Sequence, residues 1–305
     1  MSGGKKRRAV ESVHGLVLLD KPAGITSNRA LQRVKRLFGV RKAGHTGSLD
    51  PAATGMLPLC LGEATKISAF LLDADKCYRV TAKLGEARDT GDRDGQITRT
   101  AEVPELSRDD WEQILSRFLG ESEQVPPMYS ALKRDGRRLY ELARKGQTVE
   151  RAPRRIRIDS IALSEAAGKR IVFRVRCSKG TYVRSLVEDV AAVAGTVAYT
   201  EHLHREWVEP FADRRMIGLA ALERQAAEGP DALSEHLLAP DIALSDRAEL
   251  ALDRTEADRF LHGQRLKVAA AASDLLRVYG PERHFLGIAE CDAEGRLSPR
   301  RVFHL

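Results

Sequence analysis

The sequence predicts an α/β protein followed by a smaller β-rich piece, and three observations lead there. GLVLLDKPAG, residues 15 to 24, is an apolar run closed by a Pro-Gly turn; directly after it, SNRALQRVKRLFG, 27 to 39, spaces Ala30, Leu31, Val34, Leu37 and Phe38 at helical intervals. CYRVTAKL, 77 to 84, and KRIVFRVRCSKG, 169 to 180, alternate with period two, as half-buried strands do. Beyond about residue 244 the texture changes to short strand-like pieces, LLRVYG, FLGIAE and RRVFHL, separated by PERH and DAEG.

Taken in order, the first helix has Ser27 as its expected N-cap and Gly39 at its stop. The chain then reads as loop to about Leu57, because GHTGSLDPAATG carries glycines and a proline where a core segment would carry apolar repeats. GEATKISAFLLDAD reads as a short helix, Tyr78 sits near a strand start, and EARDTGDRDG is a polar connection. SRDDWEQILSRFLG opens with Ser107 and Asp110 at capping-box spacing, and Trp111, Ile114, Leu115, Phe118 and Leu119 form a core stripe. TYVRSLVEDVAAVAG continues the strand at 169 to 180 as a helix, so Tyr182 and Arg184 lie at a strand-to-helix junction, where side chains open at a sheet edge. TEADRFLHGQ is a helix ahead of the C-terminal strands. The expected division is a basic tail over 1 to 13, a large domain over 14 to 244 and a small one over 245 to 305.

Composition narrows the function. No run of about 18 apolar residues is present, which excludes a spanning helix, and MSGGKKRRAV lacks the apolar core of a secretory signal. A cytoplasmic location is expected. Cys60, Cys77, Cys177 and Cys291 are far apart and form no CxxC, so neither a zinc knuckle nor a disulfide framework is signalled. The 50 Lys and Arg exceed the 43 Asp and Glu by seven, and residues 131 to 157, with ten basic and three acidic side chains, hold an equal excess. A field so focused suits a polyanion, nucleic acid first among them, because neutralised phosphates release counterions. Phosphate, a membrane surface or a merely solvated basic face fit the charge as well.

The chain has no GxxxxGK[ST], GxSxG or HExxH, which removes the motif support for a P-loop ATPase, an α/β-hydrolase and a zincin. EHLHRE offers two histidines, His202 and His204, without a third clustered ligand, and no metal is expected. GHTG is like the GxxG loop that clamps nucleic-acid backbone, a weak signal alone. Asp50 followed by Pro51 fits either a functional carboxylate or a helix N-cap.

Five segments in order go further: GLVLLDKPAGITSN, GHTGSLDPAATGMLPLCLGEATK, CYRVTAKLGEARDTGDRDG, VPPMYSALKRDGRRLYELARKG and CSKGTYVRSLVEDV. They resemble the successive motifs of the bacterial TruB family, the tRNA pseudouridine-55 synthases, over roughly residues 14 to 210. The tail, through GQRLKV and FLGIAECDAEGRLSPRRVF, is similar to the PUA-like RNA-binding module of some members. The resemblance implies a mixed, largely antiparallel sheet flanked by helices, with a C-terminal β-rich PUA-like domain. It also implies isomerisation of the T-loop uridine of tRNA, with no cofactor or metal, no guide RNA, no membrane and no obligate protein partner.

Site residues follow from the same resemblance. Asp50 matches the carboxylate that acts as nucleophile or base, and Arg184 the arginine that pairs with it. An aspartate titrates near ~3.9 unperturbed, and a paired guanidinium is expected to hold it ionised after burial. His45 matches a histidine that packs in the T loop, Tyr78 the tyrosine that stacks on the uracil and assists loss of the C5 proton, and Tyr182 and Leu203 residues lining the base pocket. Lys21 and Pro22 match the KPxG motif, which shapes the pocket; Lys21 is counted with Arg154 and Arg155 among the RNA-contacting residues. The chain departs from the pattern in LHREWVEPF, with His204 for a second arginine and Glu209 for a glycine. Two other classes stay open: a catalytically silent RNA-binding or chaperone protein, and a subunit that depends on a guide RNA.

Overall fold

The computed structural model describes residues 13–130, 132–134, 136–143, 145–229 and 231–305. The expected basic tail therefore lies, but for Val13, outside the described residues.

A nine-stranded sheet forms the body. From edge to edge its main path runs Ile217–Gly218, Gly15–Lys21, Thr54–Leu61, Ala198–Val208, Lys76–Leu84, Arg170–Cys177, Arg154–Ala167 and Gly120–Gln124, with Ala43–His45 pairing on Thr54–Leu61. Two pairings are parallel, Gly15–Lys21 with Ile217–Gly218 and Ala198–Val208 with Thr54–Leu61; the others are antiparallel. The mixed, largely antiparallel sheet is the expected fold class. Its strands alternate as the period-two pattern requires: Leu57, Leu59 and Leu61 face helices Ser27–Leu37 and Leu219–Glu228, whereas Met56 and Cys60 belong to a different cluster. Helices Arg108–Ser116 and Val183–Val193 cover Val80, Ala82, Phe173 and Val175 farther along the sheet.

The C-terminal sheet has five strands in the order Glu249–Ala251, Ser273–Tyr279, Phe285–Cys291, Arg296–Val302 and Leu266–Lys267. Helix Arg254–Leu261 packs against it, opened by a reciprocal capping box between Asp253 and Glu256. Tyr279, Phe285, Ile288 and Phe303 share one buried cluster with Leu16, Leu18, Met56 and Phe211, so the two sheets are joined by a common core.

Several local expectations change. Thr26, not Ser27, caps the first helix, its Oγ1 accepting from Arg29 N at 3.1 Å. Ser27 is buried, and its hydroxyl accepts from Leu49 N at 2.8 Å and donates to Leu49 O at 3.0 Å. The segment read as loop to about Leu57 contains strand Ala43–His45 and enters the next strand at Thr54. GEATKISAFLLDAD splits into a 3-10 turn, Gly62–Ile67, and helix Ser68–Leu72. The Ser107/Asp110 capping box forms as expected, but Leu119 lies past the helix end and is 49% exposed rather than part of the stripe.

Candidate active site

The loop between strands Ala43–His45 and Thr54–Leu61 presents Asp50, and it is held from four sides. Ser27 grips Leu49, whose side chain is buried in the core. Thr46 N donates to Pro58 O at 3.2 Å, Gly24 N to Pro51 O at 2.8 Å, and Ala53 N to Asp50 O at 3.1 Å. Asp50 begins a turn, not a helix, so it is no N-cap. Gly47, at φ +98°, supplies the left-handed backbone that the loop needs.

Arg184, in the first turn of helix Val183–Val193, lies 3.0 Å from Asp50 through its Nε, and its side chain is only 6% exposed. Its other nitrogens donate to Thr90 O at 2.6 Å and Tyr129 O at 2.7 Å. One planar guanidinium thus fixes the carboxylate and two flanking segments together. Asp92 stands 3.8 Å from the same guanidinium. Asp50 itself is 40% open along its side chain, facing a cleft whose other walls include Ala53, Asp92, Thr200 and Leu203. Burial pushes the Asp50 carboxyl above its ordinary range; Arg184 and Lys21 pull it back, while Asp92 and Asp94 add to the rise. The pairing with Arg184 opposes the cost of burial without cancelling it.

Tyr78 is buried on strand Lys76–Leu84 in the same core cluster as Leu49, with Leu203 packed against that cluster. Burial raises its phenol, and the neighbouring Arg205 opposes the rise. Tyr182 occupies the N-cap position of the Arg184 helix. Its backbone is clamped by Gln124, which accepts from Tyr182 N at 2.8 Å and donates to Tyr182 O at 3.1 Å. His45 is half-buried, its Nδ1 has no hydrogen-bond partner, and burial followed by the charge of Arg205 lowers its pKa. A neutral imidazole suits packing among bases. Arg154 and Arg155 are exposed at the start of strand Arg154–Ala167, and the positive charge of Arg154 is felt at the Tyr182 phenol.

Lys21 is a correction. It is 0% exposed, and its Nζ donates to Pro22 O and Ile25 O at 2.9 Å and to Pro51 O at 3.4 Å. With its three donors committed it cannot contact RNA; burial lowers its pKa to about 8. Its place is beneath the Asp50 loop, in line with the pocket-shaping role of its motif. Of the two histidines of EHLHRE, His204 bonds Thr54 Oγ1 at 2.9 Å and His202 lies 3.5 Å from Arg93.

Sequence reasoning missed two charged groups here. Asp92 sits in the segment read as a polar connection, and nothing local marks it; only the return of that loop to strand Ala198–Val208, through Thr200 N to Gly91 O at 2.9 Å, brings it to Arg184. Arg205 was legible in principle, since period two places it on the same face as Leu203. It is 1% exposed.

Residues 35–183 match the TruB family pseudouridylate synthase N-terminal domain, and residues 248–303 match the C-terminal domain of pseudouridine synthase II TruB. The chain is 46% identical over 298 residues to tRNA pseudouridine synthase B of Pseudomonas putida, covering 97% of each chain. It is likewise 46% identical over 301 residues to the protein of that name from Nitrosococcus oceani, covering 98% of each. Among solved structures, a Cbf5-Nop10-Gar1 complex superposes with a TM-score of 0.75 at 22% identity, covering 98% of this chain and 88% of that one, a likeness of fold. The chain belongs to the TruB family of pseudouridylate synthases.

Proposed function

We propose that this protein isomerises the T-loop uridine of tRNA to pseudouridine, with Asp50 as its catalytic carboxylate. The observation that supports it most is the Asp50 carboxylate held 3.0 Å from a buried arginine at the mouth of a partly apolar cleft. The reaction breaks the bond between C1′ and N1, leaves the electron pair on the uracil, turns the base and joins C5 to C1′. A proton leaves C5 and N1 regains one, so the sum is an isomerisation with no redox change. Asp50 acts as nucleophile or base. The base must leave its stack to reach it, and Tyr78 with Leu203 offers the wall on which a uracil can rest. The Tyr78 hydroxyl is the group assigned to the C5 proton. His45 packs in the opened T loop and Tyr182 lines the base pocket, while Arg154 and Arg155 neutralise phosphate and position it without reading sequence.

The division proposed for the chain is a synthase domain over 14 to 244 and a PUA-like RNA-binding domain over 245 to 305, in a cytoplasmic protein. Independence from guide RNA and from partner proteins is part of the proposal: the chain is 46% identical to relatives named tRNA pseudouridine synthase B, against 22% to Cbf5 of the complex. The test is incubation of the purified protein alone with unmodified tRNA, followed by mapping of pseudouridine. Conversion at one T-loop position is expected, and none with Asp50→Asn, which keeps the shape but cannot serve as nucleophile or base and should still bind tRNA. No conversion by the wild type, or turnover by the Asn variant, overturns the proposal.

A further inference from the structure

Arg205 is a buried cation whose hydrogen-bond partners among the described residues are two backbone carbonyls. Its Nε donates to Met56 O at 2.7 Å and its Nη2 to Gly47 O at 3.1 Å. Those two carbonyls lie on either side of Asp50 in the chain, Gly47 in the loop that presents it and Met56 in the strand that follows. On the sheet, Arg205 stands directly opposite Tyr78 across the antiparallel pairing of Ala198–Val208 with Lys76–Leu84, and directly opposite residues put their side chains on one face within contact range. From there the charge of Arg205 acts on the Tyr78 phenol, opposing the rise that burial causes. Gly55, its neighbour on the other side, is at φ +100°, and a Cβ at that position would fall 2.2 Å from Arg205 O, so the two backbones meet at a closeness that only glycine permits.

An unpaired buried charge is expensive and persists where something requires it. Packing does not require a guanidinium here, since an apolar side chain would fill the same space. What an apolar chain could not do is bond two carbonyls from one rigid plane while holding a positive charge beside the phenol. We propose that Arg205 is a positioning residue for the reaction: a single guanidinium ties the Asp50 loop to the strand that follows it and stands opposite Tyr78, so that carboxylate and phenol are held in register with each other. This rests on the roles given above to Asp50 and Tyr78.

The test uses the full chain and unmodified tRNA in single turnover, with Arg205→Lys, Tyr78→Phe and the two combined. Lysine keeps the charge but cannot bond both carbonyls from one rigid plane. Arg205→Lys is expected to slow the single-turnover rate about 100-fold, the scale of a misplacement near 1 Å, with tRNA affinity changed by less than about twofold. In the double variant the losses should overlap, the combined loss being little larger than the greater single one. Strictly additive losses, or an unchanged rate for Arg205→Lys, overturn the proposal. Should Arg205→Lys not fold, the side-chain N–H resonances of Arg205 in wild type and in Tyr78→Phe decide instead: they should shift and exchange faster in the Phe variant, and unaltered signals overturn the proposal. A wild-type protein inactive on tRNA would count against the reaction assigned above, whereas the resonance comparison judges the Arg205–Tyr78 contact without any turnover.

Discussion

Replacing Arg184 with methionine removes the cation that faces Asp50 and keeps an unbranched stem to fill its place. Unit charges about 4 Å apart attract by about 4 kcal/mol at an effective dielectric of about 20. Asp50 is 40% open along its side chain, and screening by water reduces such a pair to about 1 kcal/mol or a little more, near one pKa unit. The direction is upward, because burial, Asp92 and Asp94 already push the Asp50 carboxyl above its ordinary range and only Arg184 and Lys21 oppose them. In the reaction proposed above Asp50 acts as an ionised carboxylate, so activity is expected to fall as pH drops through its pKa. The acid limb of the single-turnover rate should therefore move toward neutrality by about one pH unit in Arg184→Met. Loss of the bonds to Thr90 O and Tyr129 O adds a pH-independent decrease. Stability has its own sign: with a folded pKa above the unfolded one, Asp50 contributes stability that is present below its unfolded value and lost as pH rises through the folded value. Methionine should widen that window. Rates of pseudouridine formation measured against pH for both proteins provide the assay, and an acid limb that stays in place would refute the electrostatic coupling.

Arg154→Ala with Arg155→Ala should weaken tRNA binding and flatten its salt dependence, each lost phosphate contact lowering the slope of log K against log salt by about 0.7 to 0.9, with the modified position unchanged; an unchanged slope would make this segment a solvated face. Gly55→Ala places a Cβ 2.2 Å from Arg205 O at a positive φ, and denaturant unfolding should show a loss of about 2 to 5 kcal/mol, strain and overpacking combined; a loss under about 0.5 kcal/mol would show that the strands part easily there.

Much of the site was legible because its residues come in motifs of distinctive composition. Asp50 and Arg184 lie far apart in the chain, and no local rule pairs them; the ordered motifs did, and the 3.0 Å contact follows. Strand alternation gave the buried face of Tyr78, since period two is a local property, whereas Leu203 came from the motif resemblance alone. What escaped depends on tertiary return. Asp92 becomes a neighbour of Asp50 only after its loop has folded back on another strand, and Lys21 turns inward because three carbonyls converge where its Nζ ends. Ser27 looked like a cap because of its position, yet Thr26 took that role and left the Ser27 hydroxyl to hold the catalytic loop. Charge on a side chain says nothing about which way it faces. Arg205 makes the same point, hidden in a motif where His204 and Glu209 drew notice as departures.

The shared aromatic seam of Tyr279, Phe285 and Phe303 has a bearing on how this protein is made. Strands Gly15–Lys21 and Thr54–Leu61, which lead into and out of the site, expose Leu16, Leu18, Met56 and Cys60 on the face that the seam covers. During synthesis those strands leave the ribosome early, while the residues that seal them emerge after most of the chain. The nascent protein must therefore carry part of that apolar face without its C-terminal cover for most of its translation. Lys66 finishes the seal, donating to Val302 O and lying 5.5 Å from the Phe303 ring centroid. The last strands thus act as a closing stitch for the half of the sheet that bears Asp50, and a chimera that exchanged them for another RNA-binding module would have to reproduce that stitch before it could reproduce the binding.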